Sequence, residues 1–288
     1  MKETKEDAPS ASQELHGSFK LTEWENRHLF IACIEESAKK AGITVQWLSE
    51  YWVAKLTKGN DQKFISAYMF PLNDAASAAI ARDKVAAYQV LDASHVPAVK
   101  HWLVRFPENI ADSNVIAEAT KQATLPLVLK PCDRGSGSDV YKATTHQELV
   151  EVLHRLAMRY RTIAASPLED IQDEFRVVVL DEQPVLLFRK ARMPGGDWRH
   201  NLQFGAQPVP VTDPELAKRL HELAVRTATT LGLRFCAVDI ITASTGLKVM
   251  EVNAGLSMSK VAATPAFKSQ VMAIYDQAVA ACFDTTRS

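Results

Sequence analysis

The spacing of apolar residues changes period several times along the chain, and each change predicts an element. Between Thr22 and Ala41, the residues Leu29, Phe30, Cys33, Ile34 and Ala38 recur at helical intervals, with Gly42 beyond the last turn. Residues 43–48 alternate as a strand does, and a second helix is expected over residues 79–91, ahead of Val96-Pro97. The middle of the chain is βαβ-like: an apolar strand over 125–130, a Gly/Ser loop over 132–139, a short return strand over 140–143, then a helix over 145–160. That helix opens on Thr145-His146-Gln147-Glu148, a capping box, and buries Leu149, Leu153, Leu156 and Ala157. Strands over 175–180 and 185–190 pair around a turn at 181–184. A helix over 214–231 has Asp213 as N-cap, proline at its first position and Gly232 past its end. An apolar hairpin over 235–253 and a helix over 265–283 complete the pattern.

Composition narrows the class. At 288 residues, 47% hydrophobic and 23% charged, the chain is long enough for two or three packed subdomains. A net charge of -1 gives no electrostatic case for a nucleic-acid or membrane surface. No apolar run approaches the ~20 residues of a membrane span. Residues 1–17 are polar and aperiodic and read as a mobile tail without a signal peptide. Cys33, Cys132, Cys236 and Cys282 are far apart and form no CxxC motif, so reduced, buried thiols and a cytoplasmic location are expected.

The hairpin carries the first candidate chemistry. With a turn centred on Thr245, residue 243 pairs with 247, 241 with 249 and Asp239 with Glu251, and Asn253 follows two residues on along the same face. Opposed carboxylates about 5 Å apart repel each other, and apolar neighbours add a desolvation cost. A divalent cation would remove both penalties, and two carboxylates with an amide oxygen are hard ligands suited to Mg²⁺. An edge hairpin with solvated acids is the alternative.

Lys130-Pro131-Cys132-Asp133-Arg134-Gly135-Ser136-Gly137-Ser138 is the second element. Glycines and serines between two strands let backbone N–H groups of Ser136, Gly137 and Ser138 turn toward phosphate oxygens, and Lys130 adds a point charge. It is not a Walker A loop, because the Gly-Lys-Ser/Thr ending and the following helix are missing. An ordinary hairpin loop fits it equally well when it is taken alone.

Taken in order, Ala81-Arg82-Asp83-Lys84, Lys130-Pro131 with its loop, Glu174-Phe175-Arg176, Phe188-Arg189-Lys190, Trp198-Arg199-His200-Asn201-Leu202 and Asp239…Glu251-Val252-Asn253 resemble the ATP-grasp superfamily. The similarity is greatest to the branch containing the ribosomal protein S6 glutamate ligase and glutathione synthase, and it runs from about Tyr68 to the C-terminus. It implies an α+β fold in which two subdomains clasp ATP: residues 73–165 for ATP, 166–288 for metal, preceded by a shortened α/β unit over 18–72. It implies a carboxylate–amine ligase working through an acyl phosphate, with ATP and Mg²⁺ (or Mn²⁺) as cofactors and amino acids or small peptides as substrates. A homodimer is a possible partner arrangement.

Residue by residue, the resemblance implies Asp239, Glu251 and Asn253 as metal ligands, and Lys84 and Lys130 as phosphate contacts. Lys190 becomes a later basic contact, and Arg199 the guanidinium at the transferring phosphoryl group. Glu174 would accept from the ribose. Adenine is expected between Leu127/Leu129-type side chains and the hinge at residues 164–168, where the family's Glu-aromatic pair is replaced by Ala164-Ala165-Ser166-Pro167-Leu168. For Lys84 the plain alternative is a solvated helix-surface pair with Asp83, and for Glu174 an exposed strand-end acid. Asn201 reads as structural, His200 as packed on Trp198, and Ser257 or Ser259 as a helix cap. A kinase on the same fold, or a nucleotide-binding module without turnover, are the competing functions.

Overall fold

The computed structural model describes residues 27–106, 112–135, 137–192, 202 and 205–284. The chain divides into two compact units, Met1–Lys63 with Ser257–Ser288, and Phe64–Leu256.

In the first unit, helix α1 (residues 27–40) packs against a C-terminal helix. Phe30 meets Tyr275 edge-on at 5.5 Å, and Ser37 donates to Asp276 at 2.6 Å. Strands β1 (Thr44–Leu48) and β2 (Val53–Lys58) form an antiparallel hairpin, and β3 (Asp61–Ser66), the third strand of that sheet, leads the chain into the second unit.

The second unit begins with two helices where one was expected. Helices α2 (Ala75–Arg82) and α3 (Lys84–Ala93) are separated at Asp83, whose backbone is extended (φ -85°, ψ 111°). Its carboxylate accepts from the N–H groups of Val85 and Ala86 at 2.9 and 3.0 Å, so Asp83 caps a new helix that starts at Lys84. The apolar spacing continues across the break, which is why it reads as a single helix.

Two sheets follow. The first has the order β4-β7-β5-β6, from β4 (Trp102–Arg105), β5 (Leu127–Pro131), β6 (Tyr141–Ala143) and β7 (Thr162–Pro167). Helices α4 (Asp112–Thr120) and α5 (His146–Ala157) are drawn from the same stretch of chain. Trp102, Val104, Leu127, Leu129, Ile163 and Ala165 form one core with Val115, Leu149, Leu153 and Leu156. The capping box of α5 is present as expected, with Glu148 N–H donating to the Thr145 hydroxyl at 3.2 Å and Thr145 N–H to the Glu148 carboxylate at 3.3 Å.

The second sheet has the order β10-β9-β8-β11-β12 and contains the hairpin. Its strands are β8 (Asp173–Leu180), β9 (Gln183–Ala191), β10 (Gln207–Val209), β11 (Phe235–Ala243) and β12 (Gly246–Asn253). Helix α6 (Pro214–Thr230) covers one face, where Leu220, Ala224 and Ala228 meet Phe175, Val177, Cys236, Val238 and Ile240. The α6 terminus is exacting. Gly232 has φ +67°, and a Cβ there would lie 2.8 Å from the Ser77 hydroxyl, so both the turn and the neighbour call for glycine.

The expected hairpin register is half right. The turn is tighter, with Ala243 opposite Gly246, so Ile241 faces Lys248 rather than residue 249. A bulge between Asp239 and Ile240 absorbs one extra residue, Met250, and restores Asp239 opposite Glu251. The bulge coincides with outside pairing. Val249 N–H donates to the Pro97 carbonyl at 2.9 Å, and Val99 N–H to the Val249 carbonyl at 2.8 Å. The β8–β9 turn is likewise shorter than expected, with Leu180 opposite Gln183 around Asp181 and Glu182, both at positive φ.

Two C-terminal helices in the first unit, the short α7 (Ser259–Ala262) and the long α8 (Pro265–Ala281), complete the fold. None of the four cysteines is in a disulfide, and all four are buried. Among the described residues no helix is long and apolar enough to cross a membrane.

Candidate functional site

Period-two geometry on the two sheets of the second unit brings the charged residues together. On β8 and β11 the register sets Arg176 opposite Asp239, and β12 sets Glu251 on the other side of Asp239. One cross-strand row therefore reads Arg176, Asp239, Glu251. Next to it, Lys190 reaches Glu174 in a very short ion pair. From the other sheet, Val128 and Lys130 point away from the α4–α5 core, because Leu127 and Leu129 point into it. These groups line a single cavity of about 150 Å³ together with Lys84, Arg134 and Gly137.

Asp239 is 4% exposed and nearly saturated. Arg176 Nε and Nη2 each donate to it at 2.7 Å in a bidentate pair, Lys190 Nζ lies at 2.9 Å, and Asn253 Nδ2 at 3.5 Å. Burial alone would raise the carboxyl pKa, but the guanidinium and ammonium outweigh it and hold Asp239 well below the usual carboxylate range. The same contacts keep Arg176 above its ordinary value despite burial. The repulsion of the acidic pair does not wait for a metal ion, because Arg176 and Lys190 already neutralise Asp239. Arg176 is the residue that sequence reasoning missed as a site group. Its signal was present in the Glu-Phe-Arg triplet, but its position depends on which strand flanks β11.

Glu251 is more open. Among the described residues its nearest cation is Lys84 Nζ, at 3.9 Å. Lys84 is only 6% exposed, so the surface-pair alternative is excluded. Its backbone N–H donates to the Cys132 carbonyl at 3.0 Å and its ammonium to the Arg134 carbonyl at 2.7 Å, tying α3 to the Gly/Ser loop. Glu174 is also more than a strand-end acid, since it neutralises a lysine whose side chain is 4% exposed.

Lys130, buried at 6% exposure, has its pKa lowered to about 8 by burial and by Lys84, with Glu251 and Glu174 opposing. Behind it lies His101, whose Nδ1 meets the Val99 carbonyl at 2.8 Å. That contact places the proton on Nδ1. Nε2 has no hydrogen-bond partner among the described residues. Burial, reinforced by Lys130 and Lys84, holds His101 well below its ordinary pKa and therefore neutral.

The apolar flank of the cavity corrects a second expectation. Val128, Val99, Ile171 and Met250 line it, whereas Leu127 and Leu129 are fully buried on the opposite face of β5. The hinge carries a constraint as well. Pro167 lacks an N–H, and the Leu168 N–H is already given to the Pro126 carbonyl at 3.0 Å.

The donor set suits a hard divalent ion in kind, since Glu251 and Asn253 offer oxygens beside Asp239. Among the described residues no group of three or more His, Cys, Asp or Glu side chains is placed to hold a metal ion by itself, so a metal here would need the Asn253 amide and phosphate oxygens. Ser136, Trp198, Arg199, His200 and Asn201 lie outside the described residues. Ser138 is described and exposed; its N–H reaches the Gly135 carbonyl at 3.4 Å.

Comparison with known proteins identifies the family. The RimK-like ATP-grasp domain matches residues 81–272. The probable alpha-L-glutamate ligase of Serratia proteamaculans (strain 568) is 30% identical over 199 residues, covering 68% of this chain and 63% of that protein. Its counterpart in Legionella pneumophila (strain Corby) is 27% identical over 187 residues, 64% of this chain and 59% of that protein. The chain thus spans about three fifths of the length of these relatives. The crystal structure of D-alanine–D-alanine ligase from Bacillus anthracis superposes with a TM-score of 0.55 at 16% identity, over 73% of this chain and 70% of that one, and shares the fold. With the match extending over two thirds of its residues and the charged cleft lying inside it, the chain belongs to the RimK-like ATP-grasp family.

Proposed function

We propose that the protein is an ADP-forming carboxylate–amine ligase that joins amino acids or small peptides. The observation that carries this reading is the cleft itself, where five basic residues (Lys84, Lys130, Arg134, Arg176, Lys190), four acidic ones (Glu169, Glu174, Asp239, Glu251) and one amide (Asn253) border one cavity with an apolar flank. An apolar slot beside concentrated positive charge suits a nucleoside triphosphate. Phosphoryl transfer of this kind needs positioning and charge neutralisation more than an acid or base.

In this reading Val128, Val99, Ile171 and Met250 hold the base, and Glu174 meets the ribose. Lys84, Lys130 and the N–H groups at Ser136, Gly137 and Ser138 hold the phosphates. Asp239, Glu251 and Asn253 would hold Mg²⁺ or Mn²⁺, which would supply charge compensation for the phosphates. Lys190 exchanges its carboxylate partners for a phosphate oxygen, and Arg199 faces the transferring group. A substrate carboxylate oxygen bonds to the γ-phosphorus as the bond to ADP breaks. The amine nitrogen then bonds to the acyl carbon, the C–O bond to phosphate breaks, and the amine gives up a proton. The names of the relatives make glutamate the first substrate to test. A cytoplasmic protein, working as a homodimer on small substrates without nucleic acid or membrane, is part of the same proposal.

The test is ADP release over pairs of amino acids and short peptides, glutamate included, with mass detection of products and hydroxylamine trapping. ADP formation that needs a carboxylate and an amine together, with a hydroxamate in the trap, is the expected result. ADP formation driven by a hydroxyl compound alone would make the protein a kinase instead, and no turnover with any pair would favour a binding module.

A further inference from the structure

Asp139 stands at the exit of the Gly/Ser loop in the left-handed region, with φ +53°. That conformation favours glycine, though aspartate is among the residues that tolerate it. Its side chain is 12% exposed and makes several contacts to the end of α5 and the start of β6. Arg159 Nη1 donates to its two oxygens at 2.8 and 2.9 Å, the Tyr160 hydroxyl at 2.5 Å and the Tyr141 hydroxyl at 3.1 Å. The anchoring end is itself fixed, because the Arg159 and Tyr160 N–H groups both donate to the Leu156 carbonyl and Leu156 is in the core.

The entry of the same loop is pinned by Lys84 through the Cys132 and Arg134 carbonyls. Four residues, 135–138, separate the Arg134 carbonyl from Asp139. Gly137, at φ +72°, borders the cavity within that span. A loop that must present N–H groups to an anion binds more tightly when its ordering cost is met before the ligand arrives. Neither Arg159 nor Tyr160 lines the cavity, so their contacts to Asp139 act on the loop rather than on a ligand.

We propose that Asp139 is a positioning residue, which with Arg159 and Tyr160 clamps the exit of the Gly/Ser loop and so holds its apex ready for the nucleotide phosphates. This rests on the reading of the cleft as a nucleotide site. The test uses the full chain with Asp139→Gly, which keeps the left-handed backbone and removes the clamp, and with Asp139→Asn and Arg159→Ala. Binding of a non-hydrolysable ATP analogue is measured by calorimetry, and hydrogen exchange of the peptide covering 132–140 is followed by mass spectrometry.

Asp139→Gly should weaken the analogue about tenfold and speed exchange of the loop, with Asp139→Asn and Arg159→Ala in between. The KM of the amine substrate should stay unchanged. Analogue affinity within twofold of the parent, with loop exchange unaltered, overturns the clamp. A lowered melting temperature without a change in affinity overturns it too, assigning Asp139 a merely structural role. A parent chain that binds no analogue overturns the nucleotide reading first and the clamp with it.

Discussion

Lys130 offers the most direct way to test the electrostatics of the cleft. Its ammonium is buried with Lys84 as a like-charged neighbour, neutral His101 behind it, and Glu251 and Glu174 as the opposing carboxylates. The first two effects outweigh the carboxylates and bring its pKa to about 8. A phosphate contact there needs the proton, and with this pKa the protonated fraction falls from about nine tenths at pH 7 to about one tenth at pH 9. ATP binding should therefore weaken about tenfold across that interval, or about 1.4 kcal/mol. The nucleotide should pull up to one proton from solution when it binds near pH 9.

The ligand-free fold should respond in the opposite sense. Its Lys130 releases the proton near pH 8, while the unfolded chain keeps it to about 10.5. The unfolded state thus binds more protons between those values, and stability contributed by this group rises with pH there. Calorimetric titrations in two buffers of different ionisation enthalpy, at pH 7, 8 and 9, measure affinity and proton uptake together. Lys130→Met should bind weakly with only the nucleotide's own pH dependence. An affinity that changes less than twofold between pH 7 and 9, with no proton uptake, would refute the argument.

The other predictions address the sheet rows. Arg176→Met removes the bidentate partner of a buried carboxylate and should lower the unfolding free energy by about 3–5 kcal/mol; a loss under about 1 kcal/mol in urea denaturation would show that Asp239 is not held as described. Glu251→Gln preserves shape but removes charge, so ADP-forming turnover should fall at least about a hundredfold with the melting temperature little changed; full activity would remove Glu251 from the metal set. Leu129→Ala should cost about 2–5 kcal/mol of stability without altering nucleotide affinity. Val128→Ala should cost about 1 kcal/mol and weaken the nucleotide, and reversed effects would invert the assignment of faces on β5.

Much of the architecture was legible because its signals are local. The α5 capping box, the Asp213-Pro214 start of α6 and the glycine after it each satisfy backbone groups within a few residues, so sequence alone suffices. The α2–α3 break was not legible, because Asp83 caps a helix inside an unbroken apolar pattern. Strands β4 and β7 were missed for a related reason: each gains its stability from partners distant in sequence, such as the pairing of Trp102 with Ala165.

The site shows the same division in sharper form. Opposing Asp239 to Glu251 was correct, yet the count that led to it was wrong in two places that cancelled: the turn is one residue tighter and the bulge restores one. A bulge stabilised by Pro97 and Val99 cannot be read from the hairpin, since those partners lie some 150 residues earlier. The Glu-Phe-Arg triplet was visible but the role of Arg176 was not, because that role exists only once β8 lies beside β11. Its presence changes the logic of the acidic pair. A buried carboxylate with a bidentate guanidinium and an ammonium is stable without a metal, so Asp239 is held in place whether or not an ion is near. What remains open toward the cavity is Glu251, 3.9 Å from a lysine that is itself tied to the Gly/Ser loop. The carboxylate free to gain a cation and the loop suited to an anion are thereby joined through one side chain, Lys84, so any charge that enters between them is felt by both.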